Sequence, residues 1–182
     1  DITLDNEANN FVSAVKITTT GSNVHLVDVG AIILGESTVT GTYKVEAGGA
    51  VSQSGALTIT GATTITAEDS FGTKQQVLLS NASNDFSKTV GGTLGGSVGI
   101  TGAAVSVTDV NDLVLGETTT TGNYTVLAGG GITDSGVLDV AGTSTFTAGN
   151  GEAIILDQVN AASQSVHDFS GGLPFAASPG NL

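Results

Sequence analysis

The stretch LGESTVTGTYKVEAGG at residues 34–49 decides the fold, because the chain writes it again as LGETTTTGNYTVLAGG at residues 115–130. The similarity extends beyond these sixteen residues. Residues 24–67 align without a gap on residues 105–148, 81 positions further on, and 21 of the 44 positions are identical. Similarity at a fixed offset indicates a chain built from tandem repeats.

A second pair of matching segments lies upstream of the first. ITLDNEANNF at residues 2–11 matches VLLSNASNDF at residues 77–86 with an offset of 75, and the Gly-rich segment at residues 91–99 accounts for the different spacing. A third copy begins at residue 153 with AIILDQVNA. We therefore predict long repeats at residues 1–75 and 76–152, a partial repeat at 153–168, and an irregular linker or docking tail at 169–182.

The positions that recur are mostly turn glycines, together with one tyrosine in each repeat. Gly, Asn and Ser separate short segments in which apolar and hydroxyl side chains alternate, as in residues 57–59 and 63–66. This alternation is typical of strands with one buried face, and no segment has the spacing of an amphipathic helix. We expect the following residues to fix the register of the coils: Gly35, Gly41, Tyr43, Gly48, Gly55, Gly116, Gly122, Tyr124, Gly129 and Gly136.

A repeated all-β pattern with no predicted α-helix favours a β-solenoid. Each coil of a solenoid has the same surroundings as the next, so the same sequence can serve in every coil. A sandwich strand has no reason to resemble a strand several places later. With coils of roughly 20 residues, the chain would form roughly nine coils of a β-solenoid. The 81-residue offset would then be about four coils, which predicts that Tyr43 and Tyr124 occupy matching corners of one column.

The composition excludes several classes of partner. The net charge is −13, the only basic side chains other than two histidines are four lysines, and there is no cysteine. Nucleic acids and anionic membranes attract clusters of Lys and Arg, so neither is expected as a partner. No apolar run has the length of a membrane span, and disulfides and thiolate metal sites are excluded.

The repeats resemble those of filamentous-haemagglutinin-like exoproteins, which are secreted through two-partner systems. The resemblance rests on ITLDNEANNF, on VDVGAIILG at residues 27–35, on residues 38–67 and on their second copies. It implies a right-handed parallel β-helix, export to the medium or to a bacterial cell surface, and an adhesin-like role without enzymatic activity. It also implies attachment, with a host or cell-surface glycan as the candidate ligand. Residue 1 starts directly on a strand without a cap, and an uncapped solenoid leaves unpaired strand edges, so we expect the chain to continue in a longer rod or to associate end to end.

Four recurring acids are candidate Ca²⁺ ligands, because Ca²⁺ takes oxygen ligands and these acids lie beside turn glycines. They are Asp28, Glu36, Asp109 and Glu117. The alternative is that they cap turns or face solvent, which we favour. The glycine-rich nonapeptide that binds calcium in other β-helices is missing, so no metal or other cofactor is expected.

Catalysis is not expected from the remaining candidates. His25 is replaced by Ser106 in the second repeat, the nucleophile and phosphate-loop motifs are absent, and there is no Arg for lyase chemistry. A polysaccharide-binding or polysaccharide-degrading protein is an alternative, because solenoid flanks and exposed tyrosines can hold sugars. An ice-binding solenoid is a further alternative, since Thr-x-Thr segments such as residues 118–120 could form a flat threonine array.

Overall fold

The computed structural model describes residues 1–87, 93, 95–157 and 167–172. These residues form short strands and turns, and none of them is in an α-helix. In chain order the strands are Ile2–Leu4 (β1), Val24–Asp28 (β2), Ile32–Leu34 (β3), Ser37–Val39 (β4), Tyr43–Ala47 (β5), Val51–Gln53 (β6), Leu57–Ile59 (β7), Thr63–Ala67 (β8), Val77–Leu79 (β9), Val98–Gly102 (β10), Val105–Asp109 (β11), Leu113–Leu115 (β12), Thr118–Thr120 (β13), Tyr124–Ala128 (β14), Ile132–Asp134 (β15), Leu138–Val140 (β16), Ser144–Thr147 (β17), Ile154–Ile155 (β18) and Asp168–Phe169 (β19).

Every pairing between these strands is parallel, and strands pair with strands one turn away, so the described residues form a β-solenoid with three faces. Face 1 contains β1, β2, β5, β8, β10, β13, β16 and β19. Face 2 contains β3, β6, β9, β11, β14 and β17. Face 3 contains β4 and β7, then the bridge from Thr58 to Asp85, and above it β12, β15 and β18.

The alternation seen in the sequence places one side chain in two inside the solenoid. In β5, for example, Tyr43, Val45 and Ala47 are buried, while Lys44 and Glu46 are partly exposed. Val, Ile and Leu from all three faces meet in one continuous core, and complete burial of such a side chain contributes about 1.5–3 kcal/mol. The predicted all-β solenoid is therefore confirmed, and none of the described residues lies in a helix.

The number of coils differs from the prediction of nine, because the solenoid has about 7 turns. Ordinary turns take 18 to 20 residues, as from Thr101 to Thr119, from Val24 to Tyr43 and from Tyr43 to Thr63. Three turns are longer. The longest of them runs from Thr63 to its partner Val98, 35 residues later, because the loop at residues 68–76 and the Gly-rich insertion lie between them in the sequence. The other two long turns begin at β1 and at β16.

The second repeat is rotated by one face relative to the first. The strand that opens the first repeat, β1, pairs with β2 on face 1, with Ile2 opposite Val24. The matching strand of the second repeat, β9, pairs with β11 on face 2, with Val77 opposite Val105. The third opening strand, β18, lies on face 3. The prediction that the 81-residue offset is four coils is therefore wrong, since it amounts to three turns and one face.

The predicted tail at residues 169–182 lies mostly outside the described residues. Within the described part, Phe169 still belongs to β19 and pairs with Val140. The described section of the partial third repeat consists of residues 153–157 and 167–168.

Candidate functional site

The structure places Asp28 and Asp109 at equivalent turns, where both are buried. The two carboxylate oxygens of Asp28 accept hydrogen bonds from the backbone N–H groups of Phe11 and Gly30, at 2.6 and 2.7 Å. Those of Asp109 accept hydrogen bonds from Phe86 and Asn111 in the same way, at 2.6 and 2.9 Å. Each aspartate therefore ties its own turn to the coil before it, and its oxygens are occupied by backbone donors.

The surroundings of the two aspartates differ in charge. The pKa of Asp109 is raised to about 7, chiefly by burial. The carboxylates of Asp85 and Asp112 also raise it, and the backbone donors of Asn111 and Phe86 offset part of the increase. At the positions around Asp28 that correspond to Asp85 and Asp112, the chain has the neutral residues Asn10 and Ala31.

The other two calcium candidates are exposed and lie apart from the aspartates. Glu36 forms an ion pair with Lys16 at 3.2 Å, and its side chain is 71% exposed. Glu117 is exposed and lines a groove on face 1. Within residues 1–87, 93, 95–157 and 167–172, no three His, Asp or Glu side chains come together in a way that could hold a metal ion.

The glycines predicted to fix the register lie where neighbouring turns approach most closely. A Cβ at Gly48 or Gly129 would overlap the carbonyl oxygen of Val29 or Val110 in the turn below. At Gly55, Gly136 and Gly41 it would also overlap backbone atoms. Gly35, Gly116 and Gly122 have more room, with nearest atoms at 3.2, 3.0 and 3.3 Å.

Tyr43 and Tyr124 are completely buried, so neither is an exposed platform for a sugar. Burial raises the pKa of both phenols, and the hydroxyl groups of Ser37 and Thr118 beside them lower it in part. Neither tyrosine hydroxyl makes a hydrogen bond of normal geometry. The two rings fill the core at equivalent positions on different faces.

The two histidines have different settings. His25 lies on the outside of face 1, where its Nε2 is 2.6 Å from Oε2 of Glu46, which also contacts Lys44 at 3.1 Å. Burial opposes ionisation of Glu46, but the hydrogen bonds from His25 and Lys44 outweigh it and lower the Glu46 pKa. The side chain of His167, by contrast, is 4% exposed, and its Nε2 lies 2.9 Å from Oδ2 of the fully buried Asp134.

The sequence analysis did not identify the pair formed by Asp134 and His167. A signal for it exists, because SNDF at residues 83–86 corresponds to VHDF at residues 166–169, with His in place of Asn. The signal was hidden by the longer seventh turn, which changes the offset from 81 to 83.

A groove with a volume of about 340 Å³ opens on face 1, where β8, β10 and β13 lie next to one another. Gly99 and Gly116 form part of its lining, and the polar side chains are Ser97, Thr64, Thr101, Thr119 and Glu117. Hydroxyl groups and one carboxylate are suited to hydrogen bonding with a polar ligand.

The threonines do not form an uninterrupted array on face 1. Thr66, Thr101 and Thr119 are neighbours in register, but Glu46 lies below these three in the same row and Asp139 follows above. Charged side chains therefore interrupt the flat threonine surface expected of an ice-binding solenoid.

The parallel stacking, the shared core and the duplicated contacts define a β-solenoid repeat protein. The chain belongs to the family described as Repeats of unknown function (DUF5649), whose model matches residues 21–93 and 102–172. No curated protein and no solved structure matches the chain. The part of the chain that the structure describes contains no helix with the length and apolar character needed to cross a membrane.

Proposed function

We propose that this chain is a non-enzymatic structural segment of an extended rod. The observation that carries the proposal is the double role of β9. This strand completes face 2 of the first repeat by pairing with Val51 of β6, and it opens the second repeat by pairing with β11. The two repeats therefore share the hydrogen bonds of face 2 and one continuous core, which is the property a chain needs to grow by adding repeats.

The outer surface supports the same function. Many outward positions carry short hydroxyl side chains and scattered acids, beside exposed apolar side chains such as Val12 and Phe71, and the net charge of −13 opposes contact between the sides of two rods. We therefore expect two chains to associate at the ends of the rod rather than along its sides. Among the described residues β1 pairs with β2 alone, and the Ile2 N–H group donates to the Asn23 carbonyl on that side. The N–H and C=O groups of Thr3 then face the other way, where a further strand can pair.

We further propose that the rod is exported and displayed as an adhesin-like filament, associating end to end or continuing in a longer chain. The support is the resemblance of the repeats to filamentous-haemagglutinin-like exoproteins and a surface with few lysines. The proposed function involves no binding of nucleic acid, because a chain with four lysines and no arginine offers no basic surface. It involves no insertion into a membrane either.

Electron microscopy and sedimentation of the purified chain test the proposal. The wild type is expected to form rods that lengthen with concentration. Thr3→Pro removes the outward-facing N–H group and leaves the bond from Ile2 intact, so it should shorten the rods, while Thr64→Pro on the inside of the stack should unfold the coil. Spherical particles, or turnover of a polysaccharide panel by the wild type, would contradict a structural rod.

A second candidate function is glycan binding at the groove on face 1. Its hydroxyl groups can donate hydrogen bonds to a sugar and accept them, and the Glu117 carboxylate can accept them from sugar hydroxyl groups. Glu117→Gln should then weaken binding on a glycan array by about tenfold, a loss of about 1.4 kcal/mol. Glu36→Gln is the matched control, because Glu36 holds the same repeat position outside the groove. Equal binding by both variants would remove the groove from consideration.

A further inference from the structure

Each repeat has a side-chain clip, by which we mean a side chain that accepts a hydrogen bond from the backbone of the coil before it. The clip of the second repeat lies at the described end of the solenoid. In the first repeat, the Leu57 N–H group donates to Asn84 Oδ1 at 3.0 Å. Asn84 exchanges two further hydrogen bonds with Gln53, at 2.8 and 3.0 Å. In the second repeat, the Leu138 N–H group donates to His167 Nδ1 at 3.1 Å.

The partners of the two clips also correspond. Asp134 lies 81 residues after Gln53, and it contacts His167 as Gln53 contacts Asn84. The next residues agree as well, because Asp85 bridges Thr58 and Asp168 pairs with Asp139. The second repeat has therefore replaced a neutral amide pair with two ionisable side chains in the same position.

The hydrogen bond from Leu138 fixes the form of the imidazole. An N–H donor at Nδ1 requires a nitrogen lone pair there, so the ring proton must be on Nε2, which faces Asp134 Oδ2. The contact of 2.9 Å between these two atoms is off the line of the N–H bond, so it is an ion-pair distance rather than a well-aligned hydrogen bond. Asp134 Oδ1 accepts a hydrogen bond from the Asp157 N–H group at 3.0 Å.

We propose that Asp134 and His167 form a pH-sensitive clip, which holds the coil that contains β19 at neutral pH and releases it on acidification. A protonated imidazole has N–H groups on both nitrogens, so its Nδ1 proton would face the Leu138 N–H donor. The bond to Leu138 is then lost inside the protein, where an unpaired N–H group costs about 1–3 kcal/mol. The clip of Asn84 and Gln53 has no group that titrates in this range.

The charged side chains on the described elements next to His167 are all acidic. Asp134 on β15 contacts the imidazole, whereas Asp139 on β16, Asp157 after β18 and Asp168 on β19 are exposed. The ring of Phe169 lies 5.8 Å from the imidazole. The proposal is independent of the rod function, because it concerns one coil within the chain.

Amide hydrogen exchange, followed by NMR as protection factors at pH 7.5 and 5.0, tests the clip in the intact chain. Leu138 is expected to lose at least tenfold more protection than Leu57, which is the internal control in the same molecule. The double variant Asp134→Gln with His167→Asn installs the neutral pair of the first repeat. In this variant Leu138 should follow Leu57 at both pH values.

Imidazole nitrogen shifts give a second readout that needs no variant. At pH 7.5 the His167 ring should carry its proton on Nε2, while the partly exposed His25, whose Nε2 contacts Glu46, serves as a reference. An equal loss of protection at Leu138 and Leu57 between pH 7.5 and 5.0 in the wild type would overturn the proposal. A proton on Nδ1 of His167 at pH 7.5 would overturn it as well.

Discussion

Tyr43 and Tyr124 occupy the same position of their repeats but lie on different faces of the solenoid. Tyr43 pairs with Val24 and Thr63 on face 1, and Tyr124 pairs with Val105 and Ser144 on face 2. Each repeat thus advances the chain by three turns and one face. A feature carried by every repeat would therefore appear on successive faces of a longer rod, and a fourth repeat would return it to the first face.

The buried tyrosine hydroxyls give the first prediction. Tyr43→Phe and Tyr124→Phe should leave the free energy of unfolding unchanged or raise it by up to about 1 kcal/mol, because each removes a buried hydroxyl without a well-formed hydrogen bond. Urea denaturation measures the change. A loss of more than about 1.5 kcal/mol would indicate that the hydroxyl is well bonded in solution.

Ionisation of the same tyrosines gives a second prediction. Burial raises the pKa of both phenols, so the folded protein excludes the phenolate. Stability is therefore present below the ordinary pKa of about 10 and is lost as the pH rises above it. Absorbance at alkaline pH should show no tyrosinate until far-ultraviolet circular dichroism reports unfolding. Reversible tyrosinate formation with the strands intact would contradict the burial.

The spacing between turns predicts different outcomes at two equivalent glycines. A Cβ at Gly41 would overlap the Ser22 carbonyl oxygen, whereas a Cβ at Gly122 would lie 3.3 Å from the nearest atom, the Ala103 carbonyl oxygen. Gly41→Ala should lower the free energy of unfolding by about 2–3 kcal/mol, and Gly122→Ala by less than about 1 kcal/mol. Chemical denaturation of the two variants compares them directly, and equal losses would contradict the difference in spacing.

The fold class could be predicted from the sequence because it follows from local patterns. Alternating side chains and turn glycines specify each coil, and residues 24–67 and 105–148 use the same pattern. The number of turns and the rotation depend on where loops are inserted. The loop at residues 68–76 and the Gly-rich insertion lengthen the fourth turn, and nothing in the repeat itself shows which face the chain rejoins.

The candidate sites were less predictable for a related reason. Asp28 and Asp109 recur beside turns, which is compatible both with binding an ion and with capping a turn. Their burial and their bonds to the N–H groups of Phe11 and Phe86 depend on the stacking of coils that are distant in sequence. The pair of Asp134 and His167 was missed because its two halves lie in different turns.

Asp109 gives a prediction about pH. The folded pKa of about 7 lies above the unfolded value of about 3.9. The group therefore contributes stability that is fully present below about pH 4 and is lost as the pH rises through about 7. Asp109→Asn removes this titration, so the stability advantage of the wild type over the variant should shrink between pH 5 and pH 8.5.

Thermal melts of the wild type and Asp109→Asn at the two pH values measure this advantage. Asp28→Asn is the matched variant. It removes the equivalent turn-capping carboxylate at a site where the neutral residues Asn10 and Ala31 stand in place of the neighbouring acids. The change in its melting temperature therefore measures the cost of losing the capping carboxylate alone. An advantage over Asp109→Asn that grows with pH would show that the backbone donors of Phe86 and Asn111 dominate over burial.

The most direct test of the rotated solenoid is a cross-link between β9 and β11. Leu78 and Ser106 are register partners with outward-facing side chains, and the chain has no cysteine of its own. Adjacent parallel strands about 4.8 Å apart allow a disulfide. Leu78→Cys with Ser106→Cys should therefore form an intramolecular disulfide, while Thr64→Cys with Ser106→Cys on different faces should not. A folded chain in which only the second pair cross-links would contradict the rotation and the stacking on which the proposed rod depends.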